Sequence, residues 1–425
     1  MIRFYNGRVL RFEPEMRLTA EEVWTDGSRI AYVGPAKEDS PAFDRQIDLR
    51  GDLLMPGFKN AHTHTAMTFL RSLADDMELQ SWLKKVVWPN EAKLTDDAVY
   101  TLTKLGILEY LSSGITASFD MHVHNEAYAK ANVDAGFRTV ICSGLNNFDA
   151  EPENIEREYL RFNHYHELVS YMLGIHAEYT TSLDRMEYCA SLAEKYKARC
   201  FTHICETKKE SEDCIKRYGM SVPLVLDKIG FFRYGGGGFH CCYLTEEDIR
   251  YFADHQLYAV TCPGSNLKLA SGIAPVEKMR KAGVRLAIGT DGASSNNALD
   301  FFREMYLVTA LQKIYEEDAS ACPAFEVLKM ACVNGARAIG LPDCDDIAPG
   351  KLADLTVINL SRPSMQPLNN ILSNIVYSGS KEIVRLTMVN GKILYENGEF
   401  FIGQDPEEIY REANDFISSL AYTIH

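Results

Sequence analysis

The chain has 425 residues, of which 46% are hydrophobic and 24% charged, with a formal net charge of −15. That balance suits a globular protein with a large core, and it excludes a disordered or fibrous chain. Lysine and arginine nowhere gather into a run, which excludes a phosphate-gripping nucleic-acid surface, and no window of about 20 apolar residues is present to span a bilayer. The start, Met1-Ile2-Arg3-Phe4-Tyr5-Asn6-Gly7, lacks a basic stretch leading into an apolar one and does not read as a secretory signal. Eleven cysteines are scattered through apolar segments such as Val140-Ile141-Cys142 and Thr261-Cys262, so reduced, buried thiols and a cytoplasmic location are expected. The Cys241-Cys242 pair is adjacent, whereas zinc-binding cysteines are usually spaced by two or more residues.

In chain order, the first fifty residues read as short strands: Ile2 to Phe12, Glu22 to Trp24, a turn at Asp26-Gly27-Ser28, and Arg29 to Val33. Strands then alternate with amphipathic helices, the pattern of parallel βαβ units. Eight strands are expected: Leu53 to His62, Gly114 to Asp120, Phe137 to Gly144, Tyr171 to His176, Arg199 to His203, Gly236 to His240, Leu257 to Cys262 and Val284 to Asp291. Helices are expected between them, among others at Asp96 to Ser112 and Met186 to Tyr196. Eight such units make a (β/α)8 barrel of the TIM type. Near the end, Ala353 to Ile358 and Ile383 to Val389 are again β-rich, with Asn390-Gly391 as a hairpin turn. The expected organisation is a small β-sandwich from both termini (1–52 plus 347–403), a barrel over 53–346, and a C-terminal helix over 404–425.

His62, His64, Asp120, His176, His203, His240 and Asp291 all stand where an apolar run stops. In a (β/α)8 barrel the C-terminal strand ends converge on the active site. In His62-Thr63-His64, positions i and i+2 of an extended segment share a face, so both imidazoles can reach one ion; a plain packing role is the competing reading. Neutral imidazole suits zinc or ferrous iron. Asp291 reads either as a ligand or as the N-cap of the helix that follows. His203 with Glu206 could hold a metal and manage the protons of its water. The glycine run Gly235 to Gly238 before His240 reads as a flexible loop leading into a strand.

Taken together, several motifs carry a resemblance: Pro56-Gly57-Phe58-Lys59-Asn60-Ala61-His62-Thr63-His64, His203-Ile204-Cys205-Glu206-Thr207, Phe239-His240-Cys241, Cys262-Pro263-Gly264-Ser265-Asn266-Leu267-Lys268-Leu269 and Gly289-Thr290-Asp291-Gly292-Ala293-Ser294-Ser295-Asn296. Closing segments Gly350-Lys351-Leu352-Ala353-Asp354 and Val389-Asn390-Gly391-Lys392 complete the set. In this order they resemble the amidohydrolase superfamily, in its cytosine-deaminase-like and chlorohydrolase-like branch, and most of all its methylthioadenosine and S-adenosylhomocysteine deaminases.

The resemblance implies that His62, His64, His203 and Asp291 ligate one divalent metal, zinc or iron. It implies further that Glu206 shuttles protons to a ring nitrogen, that His240 hydrogen-bonds the attacking hydroxide, and that Asp291 takes a proton from the water. Dinuclear members bridge two metals with a carboxylated lysine at the end of strand four. Here that strand ends in His176 and has no lysine, so one metal is expected.

By the same resemblance His176 contacts substrate, with a structural rim histidine as the alternative. Glu91, in Trp88-Pro89-Asn90-Glu91, binds ribose hydroxyls, with a solvated loop glutamate as the alternative. The chain departs from that subgroup at Glu178, where proline is usual, and in the loop Asn146 to Asn154, which lacks the arginine that would meet a substrate carboxylate. A neutral nucleoside or free heterocycle is therefore favoured over a homocysteine-like tail.

The implied function is hydrolytic deamination of an aminated purine nucleoside or related N-heterocycle by a metal-bound hydroxide, with a small molecule as the only partner apart from a possible homo-oligomer. An alternative keeps the site and changes the leaving group, as in triazine dechlorination or cyclic amide opening; Glu206 favours deamination, because a ring nitrogen needs that acid. A binding protein on an inactive barrel would be expected to lack a ligand, and all four are present. The unrelated cytidine-deaminase zinc site is excluded, since no P-C-x-x-C occurs.

Overall fold

The computed structural model describes residues 1–73 and 75–420. Eight parallel strands follow one another in chain order around a barrel: Phe58–Thr63, Ile115–Met121, Arg138–Cys142, Val169–Ala177, Cys200–Ile204, Gly236–His240, Tyr258–Thr261 and Arg285–Ile288. The last strand meets the first through polar closures. Asp291 N–H donates to the His62 carbonyl at 3.0 Å, and Thr290 N–H donates to Asn60 Oδ1 at 2.9 Å. A Cβ at Gly289 would fall 2.7 Å from the His62 carbonyl oxygen, so the seam needs a residue without a side chain there.

The expected first strand, Leu53 to His62, is two strands. Leu53–Pro56 pairs with Leu355–Ile358 and Arg8–Arg11 in a terminal sheet, and only Phe58–Thr63 enters the barrel. Apolar residues run through both, because each is buried on both faces, and that hides the break at Gly57. The glycine run forms the strand expected at Gly236 to His240, and the loop reading of it does not hold. Gly236 to Gly238 lie inside the sixth strand, and a Cβ on Gly237 would meet the Tyr258 carbonyl at 2.1 Å. Bare backbone is what lets neighbouring strands close up there.

The termini supply two further sheets. One has four strands in the order Arg29–Gly34, Glu22–Asp26, Ile2–Tyr5 and Arg45–Asp48. The other has seven, with Leu53–Pro56 and Leu355–Ile358 at its centre and the hairpin Val384–Val389/Lys392–Glu396 toward one edge. Asn390 and Gly391 both take positive φ (51° and 75°), as a tight hairpin turn demands. Phe4, Val9, Val23, Leu54, Val357 and Leu386 share the core between the sheets.

Helix Asp96–Ser112 forms as expected, capped by the Thr95 side chain, and helix Leu183–Tyr196 begins three residues before its expected start. The C-terminal helix is Pro406–Ser419, with Ala413 and Phe416 packed in a core shared with the helix at 96–112; residues 421–425 of the expected element lie outside the described residues. All eleven cysteines are buried and free of disulfides. Among the described residues, no helix is long and apolar enough to cross a membrane.

The barrel's N-terminal end rests on the terminal strands through a buried ion pair. Arg138, first residue of the third strand, donates from Nε to Asp354 Oδ2 at 2.6 Å and from Nη2 to Oδ1 at 3.1 Å. Asn390 N–H donates to the same carboxylate at 2.7 Å. This accounts for two of the sequence's closing motifs: Asp354 and Asn390 complete one buried network.

Candidate active site

The strand ends bring His62, His64, His176, His203, His240 and Asp291 to one mouth of the barrel. His62 and His64 lie at the end of the first strand, His203 near the end of the fifth, His240 at the end of the sixth, and Asp291 three residues past the eighth. Two overlapping groups offer ligand atoms within 4.8 Å of one another: His62, His203 and His240, and His62, His64 and Asp291. Asp291 Oδ1 stands 3.5 Å from His64 Nε2 and 3.7 Å from His62 Nε2, too far for a hydrogen bond and close enough to share an ion.

The imidazoles are oriented from behind. His64 Nδ1 donates to the Met121 carbonyl at 2.6 Å, and His203 Nδ1 donates to the His176 carbonyl at 2.7 Å. Each bond fixes the tautomer in which Nε2 keeps its lone pair toward the mouth. The His62 ring stacks on Phe239, with centroids 3.8 Å apart, and is fully buried, yet neither of its nitrogens has a hydrogen-bond partner. Burial, then the charges of the surrounding imidazoles, pushes His62 and His203 well below the ordinary histidine range and keeps both neutral. Neutral imidazoles with free lone pairs, beside a carboxylate, are the donor set of a divalent cation.

Asp291 adopts φ +59°, which turns its side chain inward. Ser265 and Ser295 hydroxyls donate to Oδ2 at 2.6 and 2.8 Å, and Gly292 N–H donates to Oδ1 at 2.7 Å. Burial would raise its pKa, but His64, His240 and these donors outweigh burial and hold the carboxyl below its ordinary value. The N-cap reading does not describe it: Gly292 occupies the cap of the short helix Ala293–Asn296.

Glu206 lies just beyond the fifth strand, 4% exposed, with Oε1 accepting from Ser271 at 3.0 Å and Oε2 standing 3.9 Å from His240 Nε2. Burial raises its pKa more than His240 lowers it. Glu210 anchors the turn from below by accepting from the Cys205 and Glu206 backbone N–H groups at 2.8 and 2.9 Å. His240 Nδ1 donates to Asn266 Oδ1 at 2.7 Å, leaving Nε2 toward Glu206. Burial lowers the His240 pKa, but the Glu206 and Asp291 carboxylates reverse that and raise it.

A cavity of about 780 Å³ opens over these groups, within the usual size for a small-molecule site. His176 and Glu91 both line it. His176 Nδ1 bonds Thr180 Oγ1 at 2.8 Å, and burial lowers its pKa to about 4. Glu91 is the last residue of helix Trp88–Glu91, not part of a loop, and burial raises its pKa. Glu178 turns away: it is 2% exposed and accepts from Arg217 Nε at 3.1 Å. Asp120 also stays out of the ligand set, because its Oδ2 receives the Thr65 N–H at 2.8 Å and the Thr65 hydroxyl.

The orienting residues Ser265, Asn266, Ser271 and Ser295 carry no signal of their own in the sequence, although three of them fall inside or beside the quoted motifs. His122, Asn125 and Glu158, which line the far wall, come from a loop and two helices whose contact is tertiary.

Fold and site define a (β/α)8 barrel enzyme with a candidate metal centre at the C-terminal strand ends. The model of the amidohydrolase family matches residues 53–394, and the chain belongs to that family. A 5-methylthioadenosine/S-adenosylhomocysteine deaminase of Pyrococcus furiosus is 37% identical over 403 residues, covering 93% of this chain and 95% of its own. A 5'-deoxyadenosine deaminase of Methanothermobacter thermautotrophicus is 38% identical over 384 residues, covering 89% and 90%. Among solved structures, an adenosine deaminase from Xanthomonas campestris with bound zinc superposes with a TM-score of 0.93 at 31% identity, over 99% of both chains.

Proposed function

We propose that this chain is a metal-dependent aminohydrolase that deaminates the purine ring of an adenosine-type nucleoside and releases ammonia. The observation that carries the reading is His62: a fully buried ring with both nitrogens unpartnered, facing Asp291 and His203 beside a buried glutamate. Such orphaned atoms are costly unless a ligand satisfies them. His62, His64, His203 and Asp291 would hold one divalent cation, zinc in preference to iron, whose chemistry there would be to make water acidic enough to supply hydroxide near neutral pH. The bound zinc of the Xanthomonas deaminase supports that choice.

The remaining chemistry falls to the chain. Adding water across a ring C=N bond needs an acid at the nitrogen, and Glu206, made less acidic by burial, delivers that proton. Asp291, steadied by Ser265 and Ser295, takes up one proton from the water and returns it to the departing amine, and the second water proton passes from the new hydroxyl back to Glu206 as the carbonyl forms. His240, steered by Asn266, hydrogen-bonds the oxygen being added. His176 meets the base, and Glu91 accepts from ribose hydroxyls. On this reading the reaction belongs to the unit at 53–346, less the strand Leu53–Pro56 that lies in the terminal sheet, with 1–52 plus 347–403 as a β-sandwich and 404–425 as an added helix. The protein works in the cytoplasm on a small molecule, as a possible homo-oligomer.

The test is ammonia release by zinc-loaded protein across adenosine, 5'-deoxyadenosine, 5'-methylthioadenosine, adenine, guanine and cytosine. Turnover of the nucleosides is expected. Turnover of free bases alone would remove the sugar role of Glu91, and silence across the panel with metal bound would refute deamination.

A further inference from the structure

The mouth occupies only one side of the cavity. Its far wall is built from helix Asn154–Phe162 and the start of helix Asn125–Ala135, and it holds polar atoms that none of the described residues satisfies. Glu158 Oε2 accepts from Asn125 Nδ2 at 2.9 Å and from the Tyr171 hydroxyl at 2.8 Å, while Oε1 has no partner among the described residues. Asn125 is 6% exposed, and its Oδ1 is buried without a hydrogen bond. Asn154 Oδ1 is in the same condition, and Asn154 and Glu158 stand at i and i+4 on one helix, so they share a face. The two amide oxygens are sealed within the wall, and Glu158 Oε1, on a half-buried residue, is the unfilled acceptor open to a ligand.

Positive charge is also missing. Among the described residues no lysine or arginine lines the cavity, whereas Glu91, Asp149, Glu151 and Glu158 do. Glu151 is compensated by Arg157 at 3.1 Å, but neither Glu91 nor Glu158 has such a partner among the described residues. Burial raises the pKa of both, as expected for carboxylates stripped of water without a counter-charge. His122, 5% exposed with Nε2 unpartnered, adds a ring to this side but no charge, since burial lowers its pKa to about 3. At the rim the Trp88 and Phe148 rings lie 5.3 Å apart and add aromatic faces, which attract cations.

We propose that this wall is a subsite for a primary ammonium group, so that the substrates are adenosine-type nucleosides whose 5' substituent ends in an amine rather than a carboxylate. The proposal rests on the deaminase reading above. An ammonium has three N–H donors, a positive charge and no acceptor, which suits the unfilled Glu158 Oε1 in a cavity that among the described residues holds no lysine or arginine. A carboxylate tail would face the same acceptors and the Glu158 charge with no cation to receive it.

The experiment compares 5'-aminoethylthio-, 5'-methylthio- and 5'-carboxymethylthio-adenosine, following loss of the ring amino group by ultraviolet absorbance so that the tail amine does not interfere. In the unaltered, zinc-loaded protein kcat/KM should be at least about tenfold higher for the amine than for the methyl compound, and lowest for the carboxylate. Glu158→Gln should bring the amine-to-methyl ratio close to one, and Asn154→Arg should shift preference toward the carboxylate. Equal rates for amine and methyl tails, or a preference for the carboxylate, would overturn the proposal. So would an unchanged ratio in Glu158→Gln with an unaltered melting temperature; if that variant does not fold, the unaltered protein and Asn154→Arg decide. If none of the three is deaminated and adenosine and 5'-deoxyadenosine are silent as well, the deaminase reading fails; whether or not they are, calorimetric binding of the same three compounds then tests the wall by itself, and equal affinities would refute it.

Discussion

The two ends of the barrel use similar residue types to opposite ends. At the N-terminal end the buried charges of Asp354 and Lys59 are satisfied from within. Asp354 receives two hydrogen bonds from Arg138 and one from the Asn390 backbone, and Lys59, fully buried, donates to the Gly57 carbonyl and the Thr116 hydroxyl at 2.7 and 2.8 Å. At the C-terminal end, side chains equally buried are held apart: the Asp291 carboxylate approaches the His62 and His64 rings without bonding either, and neither nitrogen of the His62 ring has a partner among the described residues. A polar group that is buried and paired helps fix the fold, whereas one that is buried and unpaired destabilises the free protein and is kept for what will bind there. Inspection of burial alone would not separate the two ends; inspection of hydrogen-bond partners does.

This contrast is open to direct attack. His203→Ala or Asp291→Ala should lower turnover at least about 10⁴-fold and strip the metal, while Glu206→Gln should keep the metal and cost about a thousandfold. Rate assays with metal analysis on each purified variant distinguish the two effects, and full activity in a metal-free variant would break the assignment of the mouth. At the other end, Arg138→Ala leaves the Asp354 carboxylate buried and unpaired. It should destabilise the protein by about 3 kcal/mol in denaturant unfolding, with kcat of the folded fraction unchanged. A large fall in kcat would show that the two ends are not independent.

The smallest effect is in acid. Burial alone would raise the Asp354 carboxyl, but the Arg138 guanidinium and its hydrogen bonds outweigh burial and hold it below the ordinary value. Its contribution to stability is therefore complete above the unfolded value of about 3.9 and fades as pH falls through the lower folded value. Melting temperature should drop more steeply below about pH 4 in the unaltered protein than in Asp354→Asn. Parallel curves would mean that the pair carries no such linkage.

What the sequence made legible follows the same divide. The mouth could be read because each strand is an apolar run that stops at an ionisable residue, as at Leu286-Ala287-Ile288 before Asp291. One strand differs from its expected form for a physical reason: Leu53 to His62 stays apolar across two sheets. The strand expected at Gly236 to His240 forms at those bounds, and the loop reading of its glycines gives way because the neighbouring Tyr258 and Ile204 fill the space of the missing side chains. The far wall was not legible at all. Asn125 and Glu158 are separated by 33 positions and meet only through the packing of two helices, and no spacing rule announces an acceptor left without a donor. Glu178 was visible as a departure, but only its ion pair with Arg217 shows that it belongs to the helix at 208–218 and not to the cavity.

The left-handed backbone at Cys205, His240, Cys241 and Asp291, with φ between 50° and 70°, lies at the ends of three different barrel strands. Each such corner costs on the order of 1 kcal/mol or more for a residue other than glycine, and a closed ring of strands gives none of them room to relax alone. The hoop of chemical groups is thus nearly immutable, while the wall is assembled from helices and loops outside it. A lineage built on this plan can change which molecule it accepts by rewriting the wall, and leave the reaction itself untouched.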